Sequence, residues 1–130
     1  MILIDAHIPM YLIGAAHPNK ERARALVERA IIDEERLVTD AEVLHEILHR
    51  FVAIGRRDAV EAGIRTLLDL VDDVLPIELG DVRRAAGIVA AGPMTARDAL
   101  HLAVMEHHGI DRIMTFDRGF DGISGIERLR

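Results

Sequence analysis

The sequence predicts an α/β domain of three layers, with a central parallel sheet of four to five short strands flanked by helices. Three observations carry that reading. Short apolar runs alternate with longer segments of helical period. No tight hairpin joins two apolar runs, so successive strands run parallel and connect through helices. The 130 residues suffice for one domain with its own hydrophobic core, read as a single unit over 1–130. No internal repeat, linker or low-complexity segment interrupts it.

Met1 to Ile4 is the first strand, ending at Asp5. Pro9 suits the first turn of a helix beginning around Ala6 to Ile8. His17-Pro18-Asn19 breaks that helix, and a charged helix follows from about Asn19 to Asp33. Arg36 to Thr39 is a second strand. Thr39 with Glu42 then forms a capping box for a helix running to Ile54 and ended by Gly55. Ala59, Val60, Ile64, Leu67, Leu68 and Val71 make a helical stripe from Arg57 to Asp72. Val74 to Leu79 is a third strand, where Pro76 suits a strand start or an edge. Asp81 to Ala91 is helical and closed by Gly92-Pro93, and Thr95 to His108 is a further helix capped by Gly109. Arg112 to Thr115 is a fourth strand, and Ile126 to Leu129 a short fifth.

Composition narrows the chemistry. Half the residues are apolar, yet Tyr11, Phe51, Phe116 and Phe120 are the only aromatic ones, so aliphatic side chains fill the core. The absence of cysteine excludes disulfides, thiolate metal sites and a thiol nucleophile. The apolar start meets Asp5 at once, too soon for a signal peptide or a membrane span, which sets the expectation of a cytoplasmic protein. A net charge of −6 argues against indiscriminate affinity for polyanions. The basic residues are nearly all arginine, suited to bidentate phosphate contacts, and Lys20 is the only lysine.

Asp5, Glu46, Asp98 and Asp117 are spread over almost the whole chain, yet each falls near a strand end or a helix start. In an open parallel sheet those places gather in one crevice at the carboxyl ends of the strands. Carboxylates brought together repel and raise one another's pKa unless a divalent cation screens them. Each also has a structural role open to it. Asp5 suits a helix cap, Asp98 stands at the third position of a helix behind Thr95, and Asp117 lies in a turn marked by Gly119. The helix behind Asp98 is apolar almost all round and is expected to be central.

A rival reading rests on His45-Glu46-Ile47-Leu48-His49, which spells the zinc-peptidase signature with Glu46 as general base. On an ideal helix Leu44, Ile47, Leu48 and Phe51 form the apolar face, with Glu42, His45, Glu46 and His49 opposite. The extended pattern wants Gly at Val52 and His at Gly55, and only Glu61 offers a downstream ligand. A P-loop is excluded because no Gly-rich loop ends in Gly-Lys-Ser/Thr. A receiver domain would need a lysine near the last strands, and a haloacid-dehalogenase-type phosphatase a second acid at His7.

Taken together, the segments resemble the PIN-domain family, and within it the VapC-type toxins of type II toxin–antitoxin pairs. Ile2-Leu3-Ile4-Asp5-Ala6-His7 is similar to the family's opening strand, with His7 where Asn is common. Thr39 to Ile47 matches the block whose last acid is catalytic, selecting Glu46 over Glu42. Thr95 to Ala103 and Ile113 to Asp121 resemble the remaining two blocks and are the most specific. The resemblance implies a PIN-like sandwich and an RNA-cleaving hydrolase using Mg²⁺ or Mn²⁺. It implies Asp5, Glu46, Asp98 and Asp117 as catalytic residues, with Asp5, Asp98 and Asp117 as metal ligands and Thr115 and Asp121 in support. Arg97 and Arg118 stand beside the acids as candidate contacts to RNA phosphates. The expected partners are an RNA substrate, a small cognate antitoxin and a second copy of the chain, with no membrane. The helices from Asn19 to Asp33 and from Ala41 to Asp72 are candidate walls of the antitoxin groove. A non-catalytic domain that binds metal for structure and scaffolds a partner is the remaining alternative.

Overall fold

The computed structural model describes residues 1–130. Five strands form the sheet: β1 (Ile2–Ile4), β2 (Leu37–Asp40), β3 (Asp73–Leu75), β4 (Arg112–Met114) and β5 (Glu127–Leu129). All pairings are parallel, in the order β3-β2-β1-β4-β5. The helices are α1 (His7–Ile13), α2 (Pro18–Ile32), α3 (Ala41–Ala53), α4 (Val60–Leu70), α5 (Leu79–Ala91) and α6 (Ala96–His108). Single 3₁₀ turns cover Arg57–Ala59 and Arg118–Phe120.

Three-residue strands hold their place through burial, not length. Because side chains alternate across a strand, Ile2, Ile4, Leu37 and Met114 enter a core with Ala23, Val27, Val43, Ile47 and Phe51 of α2 and α3. Leu3, Val38 and Ile113 enter a second core with Leu102 and Met105 of α6. The sheet therefore has helices on both faces, as the three-layer reading requires. Fully burying each such aliphatic side chain stabilises the fold by roughly 1.5–3 kcal/mol. Against α5, α6 packs through small residues, with Ala85, Ala99 and Ala103 meeting there and Ile88 and Leu100 at the margin. Gly109 closes α6 with φ +66°, a left-handed turn that relieves the last carbonyls.

Several boundaries differ from the sequence reading; the helix read from Arg57 to Asp72 is a 3₁₀ turn followed by α4, which ends at Leu70. Pro18 does not precede α2 but opens it, and the His17 ring accepts the Asn19 N–H at 3.0 Å as its cap. Thr39 does not cap α3: it is fully buried in β2, and its hydroxyl donates to the Ile4 carbonyl at 2.9 Å. Asp40 takes that role, accepting the Val43 N–H at 2.9 Å. The third strand spans Asp73–Leu75, not Val74 to Leu79, because Pro76 has no N–H to continue a ladder. Leu79 begins α5, whose capping box is formed by Glu78 and Asp81.

Candidate active site

The strand order reverses around β1, which lies between β2 and β4. A crevice opens at that point at the carboxyl edge of such a sheet. Asp5 follows β1, Asp40 ends β2, and Thr115 and Asp117 follow β4. Helix α6 leads into β4 and so begins at the same edge, bringing Asp98 there. Helix α3 leaves β2 and turns Glu46 inward, where it is 6% exposed. Glu42, Glu46, Thr95, Arg97, Asp98 and Asp117 line a cleft of about 570 Å³.

Short bonds fix the acids. Asp5 is buried; Oδ1 accepts the Ala6 N–H at 2.7 Å, and Oδ2 accepts the Thr115 hydroxyl at 2.5 Å. The Thr115 oxygen in turn accepts the Asp117 N–H at 3.0 Å, and Asp117 Oδ1 accepts the Gly119 N–H at 2.7 Å. Thr115 thus ties the end of β1 to the loop after β4. Thr95 Oγ1 caps α6 by accepting the Asp98 N–H at 3.2 Å. Gly119 faces the acids without a side chain. A β-carbon there would stand 2.6 Å from Asp98 Oδ2 and 3.1 Å from Asp117 Oδ1. Burial, then the charges of Asp117 and Asp5, push Asp98 up to about 6. Carboxylates that oppose one another's ionisation form a donor set suited to a hard divalent cation.

The sequence reading missed two residues here. His101, 1% exposed, lies one turn beyond Asp98 on α6, and its Nδ1 is 2.7 Å from Asp40 Oδ2. Asp40 thereby uses one oxygen to cap α3 and the other to hold His101. The opposite nitrogen, Nε2, is buried with no hydrogen-bond partner and stands 3.8 Å from Glu46 Oε2. Burial works against a charged imidazole, yet Asp40 and Glu46 beside it, with Asp5 beyond, hold its pKa well above the ordinary value. Burial likewise raises Glu46, but His101 and the Arg97 guanidinium outweigh it and keep the carboxyl below its usual range. One ligand atom each from Asp5, Glu46 and His101 come within 4.8 Å of one another. That trio shares only Asp5 with the expected ligands Asp5, Asp98 and Asp117. The signal for His101 was its spacing of three from Asp98, which sets both on one helix face.

The remaining expected residues take different places. Arg97 Nη1 donates to Glu46 Oε1 at 3.1 Å, so its guanidinium already neutralises one site acid. Arg118 is largely exposed, 3.8 Å from Asp121. Asp121 binds Arg128 at 2.6 and 3.1 Å, while Arg128 donates to the Thr115 carbonyl at 3.3 Å. It is therefore linked to Thr115 through Arg128. His7 is bonded to Arg50.

The zinc-peptidase arrangement does not form. His45 is exposed and paired with Glu42 at 3.2 Å, whereas Glu46 is buried against Arg97 and His101. The histidines and Glu46 do not share a face as expected, and Leu48 lies 41% exposed on the side assigned to the core. Glu61 is surface-exposed beside Arg65.

The sequence matches the PIN domain family over residues 2–126. The chain belongs to the PIN-domain family. Ribonuclease VapC13 of Mycobacterium tuberculosis is 55% identical over 130 residues, covering 99% of both chains, which sets this PIN-domain protein among the VapC group. Two solved structures share the fold. The first is VapC20 of Mycobacterium tuberculosis, a Sarcin-Ricin loop cleaving toxin, with a TM-score of 0.73 and 20% identity over 91% of each chain. The second is a toxin–antitoxin complex from Klebsiella pneumoniae, with a TM-score of 0.70 and 15% identity over 100% of this chain and 98% of the other. No helix of this PIN-domain protein is long and apolar enough to cross a membrane.

Proposed function

We propose that this protein is a Mg²⁺- or Mn²⁺-dependent ribonuclease that hydrolyses RNA phosphodiester bonds as the toxin of a toxin–antitoxin pair. The observation that carries the reading is the convergence of four acids from separate segments: Glu46, Asp98 and Asp117 line one cleft, and the buried Asp5 stands close enough for its charge to act on Asp98. The 55% identity to a ribonuclease over nearly the full length supports the same reading.

Asp5, Asp98 and Asp117 would hold the cation, with Glu46 completing the site. The donor set fits: burial, then the charges of Asp117 and Asp5, push Asp98 toward its neutral form, and the absence of a side chain at Gly119 lets two carboxylate oxygens stand there. When bound, Mg²⁺ or Mn²⁺ lowers the pKa of water and offsets the charge that builds on phosphorus oxygens. The chain's own residues do the positioning. Thr115 keeps Asp5 in register with the Asp117 loop, and Asp40 and His101 brace the buried side of Glu46. Arg97, half-exposed at the cleft mouth, can exchange Glu46 for a substrate phosphate, and Arg118 offers a freer guanidinium.

A small antitoxin is the proposed partner, supported by the fold shared with a toxin–antitoxin complex. A second copy of the chain is the proposed assembly, and the cytoplasm the proposed location. Induction of the protein alone, with the 5′ ends of cellular RNA fragments mapped, tests the reading. Growth arrest with new discrete 5′ ends, both lost on Asp5→Asn, is expected. Growth arrest that persists in Asp5→Asn with no new ends would favour the scaffold instead.

A further inference from the structure

A buried histidine that only packs a core has both nitrogens satisfied or one facing apolar atoms. His101 has neither arrangement. Its Nδ1 is anchored on Asp40 at 2.7 Å, and its Nε2, buried and unpartnered, faces the Glu46 carboxylate at 3.8 Å with Asp5 also in reach. A histidine that ligates a metal commonly gives its other nitrogen to a carboxylate, which fixes the ring and its tautomer. Asp40 supplies that carboxylate, and is itself fixed by capping α3.

We propose that His101 is a direct metal ligand through Nε2, forming with Asp5 and Glu46 a nitrogen-bearing cation position beside the carboxylates of Asp98 and Asp117. Two donors at about 2.1 Å from one ion span up to about 4 Å, which covers the gap between His101 Nε2 and Glu46 Oε2. Asp5 retains acceptor capacity, because each of its oxygens takes only one hydrogen bond from the protein. Binding there displaces the proton that the metal-free ring holds beside Glu46, and the nitrogen changes selectivity. Mg²⁺ prefers oxygen donors, whereas imidazole suits the transition metals, so this position favours Mn²⁺ over Mg²⁺. The inference rests on the metal-dependent reading above and adds a ligand of different chemistry to it.

Pulsed electron paramagnetic resonance on the intact protein titrated with Mn²⁺ tests it without any activity assay. Nitrogen coupling to bound Mn²⁺ is expected in the wild type, retained in His7→Ala and lost in His101→Gln. Mn²⁺ affinity is expected to fall at least tenfold in His101→Gln and about 10–100-fold in Asp40→Asn, which loses the orienting carboxylate. If His101→Gln does not fold, the wild type and His7→Ala decide, since both carry His101. Bound Mn²⁺ without nitrogen coupling, or coupling lost with His7→Ala, overturns the inference and leaves the carboxylate site standing. No bound Mn²⁺ at all overturns both.

Discussion

Gly119 presents its bare α-carbon to Asp98, so that a β-carbon would lie 2.6 Å from the carboxylate oxygen Oδ2. No backbone strain requires glycine there; Gly119 does not have the positive φ of Gly55, Gly109, Gly122 and Gly125. The reason is space beside two acids. Gly119→Ala is therefore expected to fold and to lose activity by about 10²-fold, the scale of a misplacement of about 1 Å at a reacting centre. RNA cleavage rates and a thermal melt, run together, check it. A melt unchanged with full activity would show that Asp98 tolerates displacement.

Asp98 links the site to pH. Its folded pKa of about 6 lies above the ordinary 3.8. Between those values the folded chain holds a proton that the unfolded chain has released. Its contribution is complete below about 3.8 and is lost as pH rises through about 6. Metal-free Asp98→Asn is expected to be more stable than the wild type at neutral pH. A gain on the order of 1 kcal/mol corresponds to a melting temperature about 4 °C higher. A lower melting temperature would mean that the carboxylate is held by bonds and not opposed by its neighbours.

Asp40 carries two structural loads. Asp40→Ala removes the α3 cap, worth about 1 kcal/mol, and leaves the buried His101 Nδ1 unpaired, at about 1–3 kcal/mol. Urea unfolding is expected to show a loss of about 3 kcal/mol, with Asp40→Asn losing less because a capping oxygen remains. A loss within error of zero for Asp40→Ala would contradict the bonds assigned to both oxygens.

His45 and His49 have no part in the site. Their double replacement by alanine is expected to leave RNA cleavage within about twofold of the wild type, because both lie at the surface of α3. Stoichiometric zinc that disappears with either histidine would revive the peptidase reading.

The layers, and the sheet edge at which the acids gather, were legible because both follow from local rules. Strands buried on both faces read as apolar runs, and carboxylates at strand ends or helix starts mark the carboxyl edge of the sheet. His101 escaped because its neighbours Leu100, Leu102 and Ala103 make the segment read as core, and a helix spacing alone does not say which polar group stands across the fold. Asp40 was hidden by Thr39, an equally good cap by sequence that pairing within the sheet buries. Asp121 looked like part of the site because it follows Asp117 so closely. Its carboxylate is engaged by Arg128, seven residues on, which also bonds the Thr115 carbonyl.

The central claim is that the cleft of Glu46, Asp98 and Asp117, with the buried Asp5 beside it, is a metal-dependent nuclease site. It is tested most directly by following cleavage of structured RNA by the purified protein with EDTA, Mg²⁺ or Mn²⁺, beside Asp5→Asn and Asp98→Asn. Cleavage is expected only with added metal and only in the wild type, each variant losing at least about 10²-fold. Cleavage in EDTA that survives both substitutions would contradict the account.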